Sequence, residues 1–410
     1  MVLVRRPRRR SVEPDRRSAA RRGARGRRRT PLTGMDRREL WATRLVLQQL
    51  VGDPAEDPVS AVASSLAVQS QDVPLAHDSL AQRTGGTAAQ AADALNAGHI
   101  IRTHVLRPTW HHVAAADARW LLALTSPKVL SGMRARHRQL GLDEPGTLAA
   151  ELDVLLAEVA AGPRTRADLG VVFARRWERQ DALFWQRLSH LCMIAELEAQ
   201  ICSGPVDPAG LNGHTYVLAE TRLPATPPRP RDEAIADVVE RFFASHGPVA
   251  VRDLQRWTRL TLGEIRGAIA TLGPRLDSVK VADQTLWFGA DAMAARGPGS
   301  AGFAAARRRA EGAWLLSTFD EAPLTHTTLP LPLVPGGVAS AAKYGESGGG
   351  PMVWDLHVAG AWKRTLAKGR FTVRLIAAGP LPDAAKAALV DQAQALAYRA
   401  GFADADMVIT

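Results

Sequence analysis

This 410-residue sequence predicts a mainly helical α+β protein: three tandem winged-helix modules, then a C-terminal β-rich element and a closing helix. Three observations lead there. An N-terminal helical stretch runs into an alternating hairpin, HIIRTHVLRPTWHHV, the order of a helix-turn-helix variant with a wing. The pattern G-P-x-x-x-x-D-L occurs at Gly162 and again at Gly247, 85 residues on, each time ahead of a helical segment and two short strands. Self-similarity of this kind marks repeated modules. After about residue 311 the pattern changes to alternating strand-like segments separated by turn signals.

Residues 1–34 come first. They hold 13 arginines, no lysine and two acids, Glu13 and Asp15. Residues 35–410 hold 39 basic and 39 acidic side chains, so the formal charge of +11 belongs to the tail alone. The tail has too little apolar surface to build a core and is expected to be disordered. It suits a nucleic-acid arm. Equally, Met35 opens a well-formed segment and is an alternative start. The tail has no apolar h-region for secretion. Cys192 and Cys202 give neither a disulfide framework nor a zinc ligand set. No apolar run reaches the ~18 residues of a membrane span. The expectation from these features is a soluble protein of a reducing compartment.

The first module is expected over 35–145. Asp36 and Glu39 have capping-box spacing, and Leu40, Trp41, Leu45, Leu47 and Leu50 form an apolar stripe. A second helix is expected at about 57–67. A third has both ends marked, by Thr87 as N-cap and Gly98 just past its end. In the hairpin, Ile101, Thr103 and Val105 alternate with Arg102, His104 and Leu106; Arg107-Pro108 breaks the run and TWHHV resumes it.

The second module, 146–222, carries a helix over 181–200 and the strands ICSG and HTYVLAE. The Pro-rich linker LPATPPRPRDE opens the third, 223–300, with a helix over 261–273 and the strands LDSVKVA and QTLWFG. The last element, 301–410, begins with the strand AWLLSTFD. Two or three strands follow over 351–376, with turns at Ala359-Gly360 and Lys368-Gly369. GESGGG at 345–350 is expected as a mobile loop, and 381–401 as an amphipathic helix stopped by Gly401.

Winged helices most often bind duplex DNA, with one helix in the major groove and the wing at the backbone. The first wing is cationic and aromatic: Arg102, His104, Arg107, His111 and His112, with Trp110 among them. The arginines suit phosphate contact and Trp110 a wedge between bases. The plain alternative packs Trp110 beneath the wing, and His112 is expected to pack. Three histidines without a carboxylate or a helical i, i+4 pair make a poor metal site. A second cluster, Trp362, Lys363 and Arg364 with Lys368 and Arg370, suits a basic hairpin tip or a solvated turn.

The stretch LAVQSQDVP, 66–74, places Gln69 and Gln71 before a proline. On a helix the two would point roughly 200° apart. Pro74 disfavours helix at the preceding residue and Asp72 is a good cap, so an extended segment is expected. There the two amides share a face. Two neutral amides on one face can grip a small polar object such as a water.

Gln69-Ser70-Gln71, RTHVLRPTWHHV (102–113), LLSTFDE (315–321) and VAGAWKRT (358–365), in this order across roughly 37–400, resemble the winged-helix DNA glycosylases of the AlkZ and YcaQ type. Those proteins resist alkylating agents and unhook interstrand crosslinks. The resemblance implies a fold whose concave face takes duplex DNA, with Gln69 and Gln71 holding the hydrolytic water at the anomeric carbon. Two departures stand out. Ser70 occupies a place that is usually apolar, and EAPLTHTTL (321–329) is poorer in charge than the family pattern, which bears on the C-terminal DNA contacts.

The chemistry suits glutamine. A purine alkylated at N7 or N3 is already a cationic leaving group, so an oriented water suffices and a strong base is not required. Asp72 is expected to point away from the pair. Lys128 is the first lysine, which argues against a Schiff-base lyase. The resemblance implies a monofunctional hydrolase without metal or cofactor, cytoplasmic and nucleoid-associated; three modules with a linker suggest a monomer, and an open site is expected, since a crosslinked base cannot enter a tight pocket. Two other readings stand beside it. A sequence-specific regulator would prefer one sequence over lesions, and a protein-interaction scaffold would show no salt-dependent affinity for duplex.

Overall fold

The computed structural model describes residues 34–177, 182–207, 213–339 and 348–410. The arginine-rich tail through Thr33 and the Gly345–Ser347 part of the expected loop lie outside the described residues.

After α1 (Arg37–Leu47), one order of elements occurs three times: helix, extended segment, two helices, two-stranded hairpin. The first copy is α2 (Pro58–Ser65), β1 (Val68–Gln69), α3 (Val73–Thr84), α4 (Ala88–Asn96), β2 (Ile100–His104) and β3 (Trp110–Ala114). The long α5 (Ala115–Gln139) leads to the second: α6 (Pro145–Ala160), α7 (Arg166–Trp177), α8 (Phe184–Leu197), β4 (Ile201–Val206) and β5 (His214–Leu218). The third is α9 (Arg231–His246), α10 (Val251–Thr258), α11 (Leu262–Leu272), β6 (Leu276–Val281) and β7 (Gln284–Gly289).

The repeated G-P motif has a structural cause. Arg164 bridges Tyr216 of β5, and Val249 bridges Trp287 of β7. Each bridging residue lies two places after the motif glycine, so the motif lays the chain against the second hairpin strand before the next helix starts. Gln69, paired with His111 of β3, holds the corresponding place in the first copy.

The remainder is α12 (Ala290–Arg296), α13 (Phe303–Ala310), β8 (Ala313–Leu315), α14 (Glu321–Thr325), β9 (Gly349–Trp354), β10 (His357–Ala367), β11 (Arg370–Ala377), α15 (Asp383–Arg399) and β12 (Asp406–Ile409). The strands form one sheet in the order β12-β11-β10-β9-β8. Leu389, Ala393 and Leu396 of α15 share a buried cluster with Leu315, Met352, Trp362 and Leu375 of the sheet.

Several expectations need correction. Helix α3 was not foreseen, because Val73-Pro74 reads as a break. Asp72 is its N-cap, accepting from Leu75 N, and proline in a first turn loses only an N–H that has no helical partner. Helix α1 does not belong to the first copy. Its Trp41, Leu45 and Val46 cluster with Phe303, Ala306 and Ala310 of α13. β1 makes the first hairpin a three-stranded sheet. The turn expected at Ala359-Gly360 lies at Asp355-Leu356, with φ of 50° and 61°, whereas Gly360 sits at a bulge in β10. Gly349 and Gly350 belong to β9 and not to a loop. A Cβ on Gly350 would lie 2.0 Å from the Leu316 carbonyl oxygen, so only glycine lets the chain after β8 pass this closely.

Candidate active site

β1 delivers Gln69, and the extended backbone up to the α3 cap delivers Gln71. The Gln69 Oε1 accepts from Arg107 Nη2 at 2.8 Å, and the Gln71 Oε1 faces the backbone N–H of Trp110 at 3.4 Å. Both amides therefore reach one turn, Arg107 to Trp110, between β2 and β3. Between them Ser70 is fully buried. Its N–H donates to Trp110 O at 2.8 Å, and its carbonyl accepts from Arg102 Nε at 3.0 Å. Among the described residues the Ser70 hydroxyl has no hydrogen-bond partner.

Arg107 is oriented in turn. Its Nη2 also lies 3.3 Å from His111 Nε2, and His111 Nδ1 donates to Thr109 O at 3.0 Å. An arginine can only donate, so His111 Nε2 is the acceptor and the ring is neutral. Burial first, and then the Arg107 charge, push the His111 ring down to about 3.

Three residues expected on the surface are buried. Arg102 is 2% exposed, His104 6% and His111 0%. The cause is the second copy, whose α8 and β4 pack onto β2. The Arg102 guanidinium donates to His214 Nδ1 at 2.7 Å and lies 4.3 Å from the centre of the Trp110 ring. Arg102 is therefore a support for the Ser70–Gln71 backbone and not a phosphate contact. His104 Nδ1 donates to the buried carboxylate of Glu196, whose other oxygen accepts from Trp110 Nε1 at 3.3 Å. Trp110 is half-buried, with its ring in this network and not in a free wing. His112 packs as expected, stacked on His77 at 5.3 Å. The three histidines point to different partners, and among the described residues no cluster has metal-ligand geometry.

A second buried anchor lies behind the glutamines. Asp320 forms a bidentate pair with Arg83 of α3 at 2.7 and 3.0 Å and accepts from Ser79 at 2.6 Å. Its neighbour Glu321 accepts from the Gln69 backbone N–H. The segment that departs from the family pattern is thus interior support, with Glu321, Thr325 and His326 all buried. Glu196, His214 and Glu321 escape sequence reasoning. The available signal for Glu196 is an acid on the apolar stripe LCMIAEL, and for Glu321 its place in LLSTFDE.

The C-terminal basic cluster is divided. Trp362 is fully buried and donates to Leu316 O at 2.8 Å. Arg364 turns to Asp72 at 3.5 Å, and Arg370 pairs with Asp406 at 2.7 Å. Lys363 and Lys368 are exposed. Asp72 points away from the glutamine pair, as expected: it caps α3 and accepts from Gly348 N at 2.9 Å.

Two open clefts flank this centre. One, of about 670 Å³, is lined by Gln71, Arg102 and Trp110 on one side and by Arg166, Trp185 and Tyr216 of the second copy on the other. Another, of about 420 Å³, is lined by Lys128, Arg252, Arg256 and Arg259, with no acid among its lining residues. Burial lowers the Arg107 guanidinium, and the charges of Arg256 and Arg259 lower it further against the opposing pull of Glu321, so the basic cleft reaches the Gln69 side electrostatically. Among the described residues no helix is long and apolar enough to cross a membrane.

Comparisons with known proteins bear on the fold and the family. The Streptomyces sahachiroi DNA glycosylase AlkZ has a similar structure, with a TM-score of 0.68 over 92% of this chain and 100% of that one, at 18% identity. At this identity the likeness speaks for the fold. A search of the curated proteins found no match. A family model described as DNA glycosylase AlkZ-like matches residues 62–398, which takes in both glutamines, the first hairpin and the Asp320-Glu321 anchor. The chain belongs to the AlkZ-like DNA glycosylase family.

Proposed function

We propose that this glycosylase is monofunctional, that it hydrolyses the N-glycosidic bond of alkylated purines in duplex DNA, and that Gln69 and Gln71 position the water. The carrying observation is the convergence of both amides on the Arg107–Trp110 turn, with Gln71 lining an open cleft. The three copies of the element order, lying within about 35–145 (without α1), 146–222 and 223–300, serve as winged-helix modules that present these clefts to the duplex.

Alkylation at N7 or N3 makes the base cationic. As the C1′–N bond breaks, its electron pair neutralises the purine and the positive charge moves to the sugar. A water then adds to C1′ and loses its proton to solvent through the cleft. An amide oxygen has two lone pairs, so the Gln71 Oε1 can accept from this water while bonded to Trp110 N. It also offers partial negative charge to the oxocarbenium-like sugar. Arg107 occupies the Gln69 oxygen and polarises its NH2 group, which donates to the same water. The cleft lined by Lys128, Arg252 and Arg259 suits the phosphate backbone. The openness of the Gln71 cleft suits bulky and crosslinked purines.

The test is base release from duplex carrying N7-methylguanine or a nitrogen-mustard crosslink. The wild type is expected to release base and leave an intact abasic strand. Gln69→Ala/Gln71→Ala is expected to bind the duplex and release nothing. Normal excision by the double variant overturns the mechanism. Sequence-preferring binding without release by the wild type would instead indicate a regulator.

A further inference from the structure

The chain has ten tryptophans, and Trp185 alone is exposed, at 53%. What sets this ring apart is its place: it lines the same cleft as Gln71 and offers a flat aromatic face there. Trp185 is the second residue of α8, and its six-membered ring rests against Gly170 of α7. A Cβ at 170 would lie 2.5 Å from the ring Cη2 and 2.8 Å from Cζ3. Phe184 stands edge-on to it, 5.1 Å away at 84°. The ring is thus seated on one helix, braced by a neighbour and open to the cleft that Gln71 lines from the other side.

We propose that Trp185 is the stacking platform that recognises the positive charge of an alkylated purine held before Gln71. This rests on the glycosylase reading and adds the element that tells damaged from normal bases. A normal purine is neutral, whereas one alkylated at N7 or N3 is a flat cation. Indole is the strongest natural cation–π partner, so stacking on it favours the damaged base over the normal one. The cation is lost as the C1′–N bond breaks, because its charge passes to the sugar. Trp185 therefore favours the bound substrate at least as much as the transition state. Such an interaction contributes affinity and discrimination, and it does not accelerate bond cleavage. Trp185 is in this sense a specificity residue, separate in its kinetic signature from Gln69 and Gln71.

The experiment measures Kd for a duplex carrying non-cleavable 2′-fluoro N7-methyl-deoxyguanosine beside the undamaged duplex. Wild type is compared with Trp185→Ala, Trp185→Leu and Trp185→Phe, and the side chain is exposed enough for each to fold. Trp185→Ala is expected to lose about 3- to 30-fold in lesion affinity. Its affinity for undamaged duplex and its single-turnover rate at saturating enzyme on cleavable N7-methylguanine should stay unchanged. Trp185→Phe should keep most of the discrimination, and Trp185→Leu, apolar but without a ring, should behave as Ala. Gly170→Ala, a favourable helix change, should keep the melting temperature while lowering lesion affinity by moving the ring. Equal losses on damaged and undamaged duplex, full function of Trp185→Leu, a lowered saturating rate, or no lesion preference in the wild type would each overturn the platform. Failure of the glycosylase reading shows separately, as absence of base release by the wild type.

Discussion

The Glu321 carboxylate accepts a hydrogen bond from the backbone N–H of Gln69 at 3.0 Å, across 252 residues of chain. Its other oxygen accepts from Trp257 Nε1 and Thr325 Oγ1, both at 2.9 Å, and lies 3.6 Å from His246 Nε2. Burial alone would raise this carboxyl. The neighbouring His246 ring and the Arg107 guanidinium outweigh burial and hold it at about 2. The strand bearing the first glutamine is thus fixed from behind by an ionised group that never reaches the cleft.

Glu321→Gln replaces this charged acceptor with a neutral one of nearly the same shape. It should cost about 1.5–3 kcal/mol of stability, the usual worth of a hydrogen bond to a charged group. Base release should slow while duplex affinity holds, since Glu321 touches only protein. Urea unfolding and single-turnover kinetics test both halves, and wild-type values in both would refute this role.

Arg107→Met keeps the aliphatic stem and removes the donor to Gln69 Oε1. Loss of one charge-assisted bond of about 1.5–3 kcal/mol predicts a base-release rate roughly 10- to 100-fold lower. The fall should appear at saturating enzyme and not in Kd. A rate unchanged from wild type would mean that Gln69 is held by other means.

Ser70→Ala tests the departure at the middle of the Gln-x-Gln segment. The buried Ser70 hydroxyl is without a partner among the described residues, whereas its backbone makes both local bonds. An unsatisfied buried hydroxyl costs roughly 1–3 kcal/mol. The variant should therefore melt at a higher temperature with full activity. A lower melting temperature would show that the hydroxyl serves the fold.

Acid stability follows from five buried histidines. Burial pushes His77 down to about 4 and His111 to about 3, and it holds His112, His214 and His326 well below the ordinary value of 6.5. A group whose folded pKa lies below its unfolded one takes up a proton on unfolding between the two. Stability should fall as pH drops below 6.5, by up to about 1.4 kcal/mol per pH unit for each such group until its folded pKa is reached. Glu321 adds a further loss only as pH falls from about 4.5 toward 2. Unfolding free energies between pH 7 and 5 check this, and a flat profile there would contradict it.

The glutamine pair was legible because local rules govern it. Pro74 and Asp72 favour extended chain over residues 69–72, although not the helix that follows, and period two puts residues 69 and 71 on one face. The repeated G-P motif was legible for the same reason. The roles of Arg102, His104 and His111 were not. Alternation places every second hairpin residue outward only when one face of the hairpin meets water, and here α8 and β4 cover that face. Nothing within residues 100–114 shows that the next copy packs onto them. Likewise the partners of Gln69 and Asp72, Glu321 and Arg364, stand far away in sequence, beyond the reach of any local pattern.

The Arg83–Asp320 pair spans 237 residues, and both side chains are almost wholly buried. At about 5–20 residues per second, a ribosome takes roughly 12–50 s to cover that interval. Throughout it the nascent glutamine-bearing segment holds a guanidinium with no counter-charge, and the Glu321 strut is also missing. A product ended between Gln71 and Asp320 keeps both glutamines but lacks the carboxylates that brace them. An enzyme that breaks glycosidic bonds in DNA is thus expected to become competent only after its chain has been made through Asp320 and Glu321.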